Sequence, residues 1–183
     1  ALIHAASDTY ISIHAYGSTG YVRTWTISAD GKTITNVKNQ SYNYFGHDPS
    51  IVKLDSDSYA VASYGLTTDY RGYNTWGGLI TTFDIPTDGS SVTEVSKIEH
   101  AYNSTGKYNS LVDFGNNIYA LAYQGQSSQG KLRTFRITPD GKLIHLVQKE
   151  NMYNSTTTYN SMVKLGTNIA LIAHSDGSSI GYL

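Results

Sequence analysis

The side chains able to do chemistry are few and scattered. Asp48, Asp69 and Asp176 are the carboxylates expected on the face that carries the longer loops. Two carboxylates across a sugar-sized gap would be the equipment of glycoside hydrolysis, but these three share no spacing that pairs them. His47 neighbours Asp48, and His174 lies two residues before Asp176. Neither these nor His14 matches metal-ligand or catalytic-triad spacing. Asp55 and Asp57 could touch calcium, yet two carboxylates without further ligands do not make a site. The chain has no cysteine, which excludes thiolate nucleophiles, thiolate metal sites and disulfides. No catalytic residue, metal or cofactor is assigned.

Binding chemistry is better represented. Sixteen tyrosines stand out in a chain of 183 residues. They gather with Asn, Ser, Thr and Gly in short stretches: Tyr42–Asp48, Tyr102–Asn109 and Tyr153–Asn160. A further stretch, Leu66–Gly78, holds Tyr70, Arg71, Tyr73, Asn74 and Trp76. Rigid amphipathic rings beside small hydrogen-bonding groups are the vocabulary of adaptable binding surfaces. Aromatic rings also stack on the apolar faces of sugars while amides meet hydroxyls. The candidate ligand-binding residues are Tyr70, Arg71, Tyr73, Asn74, Trp76, Tyr102, Asn103, Tyr108, Tyr153, Asn154 and Tyr159. Tyr102 and Tyr153, with Tyr42, have a second reading as packing groups, because they recur at matched positions.

These residues need a scaffold, and the chain spells it out by repetition. DPSIVKLDSDSYAVASYG, YNSLVDFGNNIYALAYQG and YNSMVKLGTNIALIAHSDG are copies of one segment, and ALIHAASDTYISIHAYG at the start is another. They align on Ala1, Ser50, Ser110 and Ser161, a period of roughly fifty residues. Tyr10, Tyr59, Tyr119 and Ala170 stand at one equivalent position. Trp25, Phe83 and Phe135 stand at another, and Asp30-Gly31, Asp88-Gly89 and Asp140-Gly141 follow them in the same register. Each unit divides into short strands: an apolar run, a Tyr-Ala-Val-Ala-like run, an alternating run with the aromatic, and a run after the Asp-Gly turn. Asp-Gly between such runs is a strong hairpin signal, since Gly accepts the positive φ of the turn. In the third unit Leu132, Thr134 and Arg136 face one way, and Arg133, Phe135 and Ile137 the other. Trp25, Phe83 and Phe135 are assigned to the core. Leu66–Gly78 reads as an insertion between the second and third strands of its unit. The last unit has two strands and the start of a third, at Gly181-Tyr182-Leu183.

A period of this length built from short antiparallel strands predicts an all-β fold, a β-propeller of four-stranded blades with three complete repeats and a partial fourth. The expected units are approximately 1–49, 50–109, 110–160 and 161–183, within one domain. The order of strands resembles WD-repeat and YVTN-type surface propellers of secreted microbial proteins, without a literal Trp-Asp or Tyr-Val-Thr-Asn. The resemblance implies a propeller fold and a secreted setting, and carries no catalytic residue across. Asp30, Asp88 and Asp140 resemble the acidic turns of sialidase-type propellers in position, but the Ser-x-Asp-x-Gly-x-x-Trp pattern is not met. They are read as hairpin formers.

Composition narrows the partners. Thirteen basic and fourteen acidic residues nearly cancel, and no basic run exists, so nucleic acid is not an expected partner. Only 15% of residues are charged, against about a quarter in typical domains. No apolar stretch reaches membrane-spanning length. Asn39, Asn103 and Asn154 each begin an Asn-x-Ser/Thr acceptor pattern. The chain does not begin with Met, which reads as a processed mature chain or a piece of a longer one. A thin last unit would leave strand edges and sheet faces open, so self-association or continuation in a longer chain is expected to complete a ring. The functional expectation is a non-catalytic extracellular or cell-surface module for binding or surface assembly, with a glycan or protein ligand met by the Tyr/Asn-rich loops. The alternatives are a glycoside-acting enzyme and a structural repeat of a larger surface protein.

Overall fold

A computed structural model describes residues 1–43, 45–68, 74–102, 105–175 and 181–182, without the side chains of 43, 68, 151, 153–155 and 181–182. Tyr70, Arg71, Tyr73, Asn103, Asp69 and Asp176 lie outside the described residues, as do the side chains of Tyr153 and Asn154.

The fold is all-β: four antiparallel sheets, each built from strands consecutive in the chain. The first holds β1 (Leu2–Ala6), β2 (Thr9–Tyr16), β3 (Thr19–Ile27) and β4 (Ile34–Asn43). The second holds β5 (His47–Lys53), β6 (Ser58–Thr68), β7 (Asn74–Asp84) and β8 (Thr93–Ala101). The third holds β9 (Lys107–Gly115), β10 (Ile118–Gln124), β11 (Gln129–Ile137) and β12 (Ile144–Thr156), with a 3-10 turn at Gln126–Ser128. The fourth has β13 (Thr158–Gly166), β14 (Ile169–Ser175) and the short β15 (Gly181–Tyr182). Each sheet is a simple meander, and no sheet closes on itself.

The repeat is visible in the pairing. Tyr10 pairs with Trp25, Tyr59 with Phe83, and Tyr119 with Phe135. Side chains alternate across a strand, so each of the first three sheets has a leading face carrying these aromatics and a trailing face carrying smaller groups. The trailing Ile11, Ile13 and Val22 of the first sheet pack on Tyr59, Val61, Phe83 and Ile85 of the second. Ala60, Ala62 and Ile80 then meet Tyr119, Leu121, Phe135 and Ile137 of the third. Ala120 and Ala122 meet Met162, with Ala170 and Ile172, of the fourth. Larger side chains on one face meet smaller aliphatic ones on the next, which lets the sheets interdigitate.

Trp25 departs from the sequence expectation. Phe83 and Phe135 are 1% exposed, whereas Trp25 is only half-buried and donates its indole N–H to Ser12 Oγ at 2.8 Å. The reason is positional: no sheet among the described residues precedes the first one to cover its leading face.

Hydrogen bonds repeat with the packing. Thr24 Oγ1 donates to Gly89 O at 2.7 Å, and Thr82 Oγ1 to Gly141 O at 2.8 Å. Each threonine ties the third strand of one sheet to the Asp-Gly turn of the next. Leu111 N donates to Ser50 Oγ at 2.9 Å and Met162 N to Ser110 Oγ at 2.8 Å, joining successive innermost strands. The Asp-Gly turns are held from within: Asp30 Oδ1 accepts from Ser28 Oγ at 2.6 Å, and Asp140 Oδ1 from Thr138 Oγ1 at 2.6 Å. Replacing Thr82 by valine keeps the shape and removes the donor to Gly141. We expect a loss of about 1–3 kcal/mol in unfolding free energy, read by urea titration. A variant as stable as the parent would show that this tie contributes nothing.

Candidate functional site

The loops that lead into the innermost strands share one end of the molecule with the β6–β7 and β10–β11 hairpin ends. Two structures there offer functional groups.

The first sits at the entrance of β5, β9 and β13. Asp48, Tyr108 and Tyr159 are equivalent residues, and all three adopt left-handed backbone, with φ of 46°, 52° and 53°. The pairing register slips at each of these points, between His47 and Ser50, Ala122 and Gln124, and Thr158 and Ser161. Each is therefore a bulge, a device that re-aims a side chain at a strand end. Left-handed backbone costs a non-glycine residue about 1–2 kcal/mol, so the surroundings must hold it. A ladder of amides does so. Asn109 Nδ2 donates to Gly106 O at 2.8 Å and to Asp48 O at 3.3 Å, and Asn160 Nδ2 donates to Tyr108 O at 3.1 Å. Tyr108 N donates to Asp48 Oδ2 at 3.3 Å. The rings of Tyr108 and Tyr159 lie 5.0 Å apart, and Tyr159 is 74% exposed. Burial, then Tyr159 and Asp48, push the Tyr108 hydroxyl above its ordinary pKa, so it stays a neutral hydrogen-bonding group.

The second is an open cleft of about 900 Å³ between the second and third sheets. Tyr102, Thr105, Gln126, Ser127, Gln129 and Lys149 are among its lining. Its floor is Tyr123 and Arg133. The Arg133 guanidinium donates to His100 O and lies 5.5 Å over the Tyr123 ring. Lys131 Nζ donates to Gln129 Oε1 at 2.9 Å, and Glu150 accepts from Gln148 Nε2 at 2.7 Å. The rim turn carries Ser127 and Ser128 in left-handed backbone, φ 54° and 63°. Behind the floor, His100 is buried edge-on against Tyr123, with ring centroids 4.8 Å apart. Burial first and the Arg133 charge second push its pKa down to about 3, partly offset by the Asn109 side chain. His100 is a neutral packing group at neutral pH.

The insertion differs from the sequence expectation. It is not a free loop: β6 runs on to Thr68 and β7 begins at Asn74, with Leu66 opposite Trp76 and Thr68 opposite Asn74. Most of the inserted residues simply lengthen the hairpin. Trp76 stacks on Tyr64 at 5.2 Å and meets His47 edge-on at 5.6 Å. Lys107 Nζ lies 5.1 Å over the other partner, Tyr64. Asn74 is exposed on β7. Tyr153 and Asn154, also expected in a loop, belong to β12, which extends to Thr156.

Of the candidate residues, the structure thus brings Tyr108 and Tyr159 together at the bulge ladder. Tyr102 stands apart from them, in the cleft, 60% exposed. Trp76 and Asn74 lie on the lengthened hairpin. Arg133, Lys131, Lys149, Gln126 and Gln129 were not singled out by sequence reasoning. Arg133 carries no distinct signal in the sequence, since Arg23 and Thr81 stand at the equivalent position of the first two units. His14 stacks on Tyr21 at 5.3 Å, and His174 is buried in β14. Asp55 Oδ1 accepts from Ser56 N at 2.7 Å, within its own turn. Among the described residues, no group of three His, Asp or Glu side chains is arranged to hold a metal ion. No helix among them is long and apolar enough to cross a membrane.

No protein-family model matches the chain, and no curated protein matches it. Solved structures do match in shape. "NanB plus Optactamide" superimposes with a TM-score of 0.68 at 13% identity, over 93% of this chain. The K499G mutant of NanB sialidase from Streptococcus pneumoniae gives a TM-score of 0.67 at 13% identity, again over 93%. The chain spans about a quarter of the length of these structures, 26% in each case. At this identity the likeness is one of fold: successive antiparallel sheets in a propeller-like arrangement.

Proposed function

We propose that the chain is a segment of β-propeller that binds carbohydrate without transforming it, at the cleft between the second and third sheets. One observation carries this reading. The cleft is open, of saccharide size, and lined by the side chains of Thr105, Gln126, Ser127 and Gln129, by the charged Lys131, Arg133, Lys149 and Glu150, and by the exposed Tyr102 ring and the buried Tyr123. A planar ring that can stack, beside amides, hydroxyls and a few charged groups, matches the alternating apolar faces and hydroxyl edges of a sugar. The fold likeness to NanB sialidase is compatible with a carbohydrate ligand. An extracellular or cell-surface setting belongs to the same reading.

A glycan array probed with the intact chain tests this, followed by titration of any retained sugar against Tyr102→Ala and Gln126→Ala. Tyr102→Ala is expected to weaken binding about tenfold or more, the usual cost of losing an aromatic anchor. The melting temperature should be unchanged, because the ring is exposed. A folded chain that retains no glycan sinks the carbohydrate reading. Unchanged affinity in Tyr102→Ala moves the ligand to another surface.

A second reading has its own observation. Asp48 sits in a strained bulge beside Tyr108, and its Oδ2 accepts from Tyr108 N. A carboxylate held by backbone strain is a feature of reactive sites, and a glycoside-acting enzyme would place it there. Release of reducing sugar that disappears in Asp48→Asn would favour this reading over binding alone.

A further inference from the structure

The cleft between the second and third sheets is more cationic than a neutral sugar requires. The chain as a whole carries a formal net charge of -1. Yet three residues of the cleft lining are cations, Lys131, Arg133 and Lys149, against one carboxylate, Glu150. The strand register arranges them. Arg133 on β11 stands directly opposite Lys149 on β12, and Lys131 lies two residues before Arg133, on the same face of the sheet. Directly opposed residues bring their Cβ atoms to about 5 Å, and like charges so placed destabilise a sheet. Glu150 stands opposite Leu132, out of phase with that row, and its Oε1 accepts from Gln148 Nε2 at 2.7 Å.

The same pair of positions is filled differently in the other units. In the first, Arg23 stands opposite Asn39, and its Nε donates to Asn39 Oδ1 at 3.1 Å. In the second, Thr81 stands opposite Lys97, whose Nζ lies 3.5 Å from Glu94 Oε1. Each of these pairs has one cation and a partner for it. The third has two cations, and among the described residues neither Arg133 nor Lys149 is in an ion pair with a carboxylate.

Arg133 is also held in place. Its guanidinium donates to His100 O and lies 5.5 Å over the Tyr123 ring. A guanidinium has five N–H donors in a planar fork, so donors remain for an oxyanion, which the fork meets in a bidentate manner. Lys149 is exposed, so the two cations run from the mouth of the cleft to its floor.

We propose that the sugar taken by this cleft is acidic, with a carboxylate or sulfate group held between Arg133 and Lys149. The inference rests on the carbohydrate reading and narrows it to a charge class. An oxyanion between the two cations replaces their repulsion by attraction to a shared partner. The cost that the sheet bears without ligand is then relieved only by a ligand of the right charge.

The test presents the intact chain with three matched sets of oligosaccharides: neutral, uronate-bearing and sulfated. The acidic sugars should be retained, and their neutral counterparts should bind about tenfold more weakly or worse. Preference for one acidic set tells which group the pair reads. Affinity should fall as sodium chloride is raised from about 50 to about 500 mM. Lys149→Gln should weaken binding of the acidic sugar about fivefold or more. Lys97→Gln, the same loss of charge at the equivalent position of the second unit, should leave it unchanged. Without ligand, Lys149→Gln should melt no lower than the parent, because it removes a like-charge pair. Neutral sugars bound as tightly as acidic ones would overturn the proposal and leave the carbohydrate reading standing. A folded chain that retains no sugar of any set would overturn both. Unchanged affinity in Lys149→Gln, or equal losses in the two variants, would overturn the assignment to this pair. A lower melting temperature for Lys149→Gln would make the lysine a group that serves the fold, and would overturn it as well.

Discussion

Gly106→Ala is expected to destabilise the chain by about 3 kcal/mol or more, a large part of the 5–15 kcal/mol that holds a typical domain together. Gly106 lies in the crossover from β8 to β9, with φ of +92°. A Cβ there would press on Gly78 Cα, approach Gly78 N at 2.6 Å and reach Ala101 Cβ at 3.1 Å. The obstacle is mainly backbone, so no side-chain rotation relieves it. Left-handed conformation adds about 1–2 kcal/mol and overpacking about 1–3 kcal/mol. The same approach recurs one unit earlier, where a Cβ on Gly46 would stand 3.5 Å from Gly20 Cα. The chain leaving each of these two sheets therefore lies flat across that sheet's own third strand, and a glycine pair makes this possible. Gly31→Ala is the control: φ is +70°, but nothing lies within 4 Å. It should lose only about 1 kcal/mol, the left-handed cost alone. Equal losses for the two variants in urea unfolding would show that the close approach is not what Gly106 serves.

Stability should also fall steeply as the solution is acidified from pH 6.5, because of His100. Its folded pKa is about 3, with burial the main cause and the Arg133 charge the second. Its unfolded value is about 6.5. Between those two values the unfolded chain binds a proton that the folded chain refuses, so unfolding is favoured as pH falls. The limiting slope is about 1.4 kcal/mol per pH unit, and the loss at pH 4.5 relative to pH 7.5 is roughly 2.5 kcal/mol. Asp30, Asp88 and Asp140 have lowered pKa values from the hydrogen bonds of their turns. They weaken the fold only as pH drops through the carboxylate range, which overlaps just the acid end of the His100 window. Urea unfolding at the two pH values, on the parent and on His100→Gln, separates these contributions. The variant should start less stable, yet lose far less between pH 7.5 and 4.5. An identical pH loss in the variant would assign the effect to other groups.

Much of the scaffold was legible in the residues, and the candidate site much less so. The Asp-Gly pairs, the equivalent tyrosines and the Phe83/Phe135 positions recur in one register, and recurrence reports on contacts made again and again. Three features at the candidate-site end of the molecule are not legible in this way, for distinct reasons. Leu66–Gly78 looked like a loop because it is extra. Strand pairing can absorb extra residues by lengthening a hairpin, and Leu66 opposite Trp76 shows that it did. Arg133 reads as an ordinary member of an alternating strand. Only packing shows that its guanidinium reaches back to His100 O, under a cleft that two different sheets enclose. The bulge at Asp48, Tyr108 and Tyr159 leaves no mark in residue type, since tyrosine is a poor fit to left-handed backbone. The amide ladder from Asn109 and Asn160 is what holds it there.

The sequence by itself determined the unit: its strands, its turns, and which face of each sheet carries the large aromatics. These follow from period-two alternation and from the one backbone conformation that Gly accepts at small cost, both local properties. Tertiary structure decided everything that depends on which units become neighbours. It set the depth of His100, the cleft between the second and third sheets, and the half-buried state of Trp25 against its buried equivalents Phe83 and Phe135. The same aromatic position is core or surface according to whether a sheet lies in front of it. Burial is a property of the pair, and a repeat carries only half of each pair within itself.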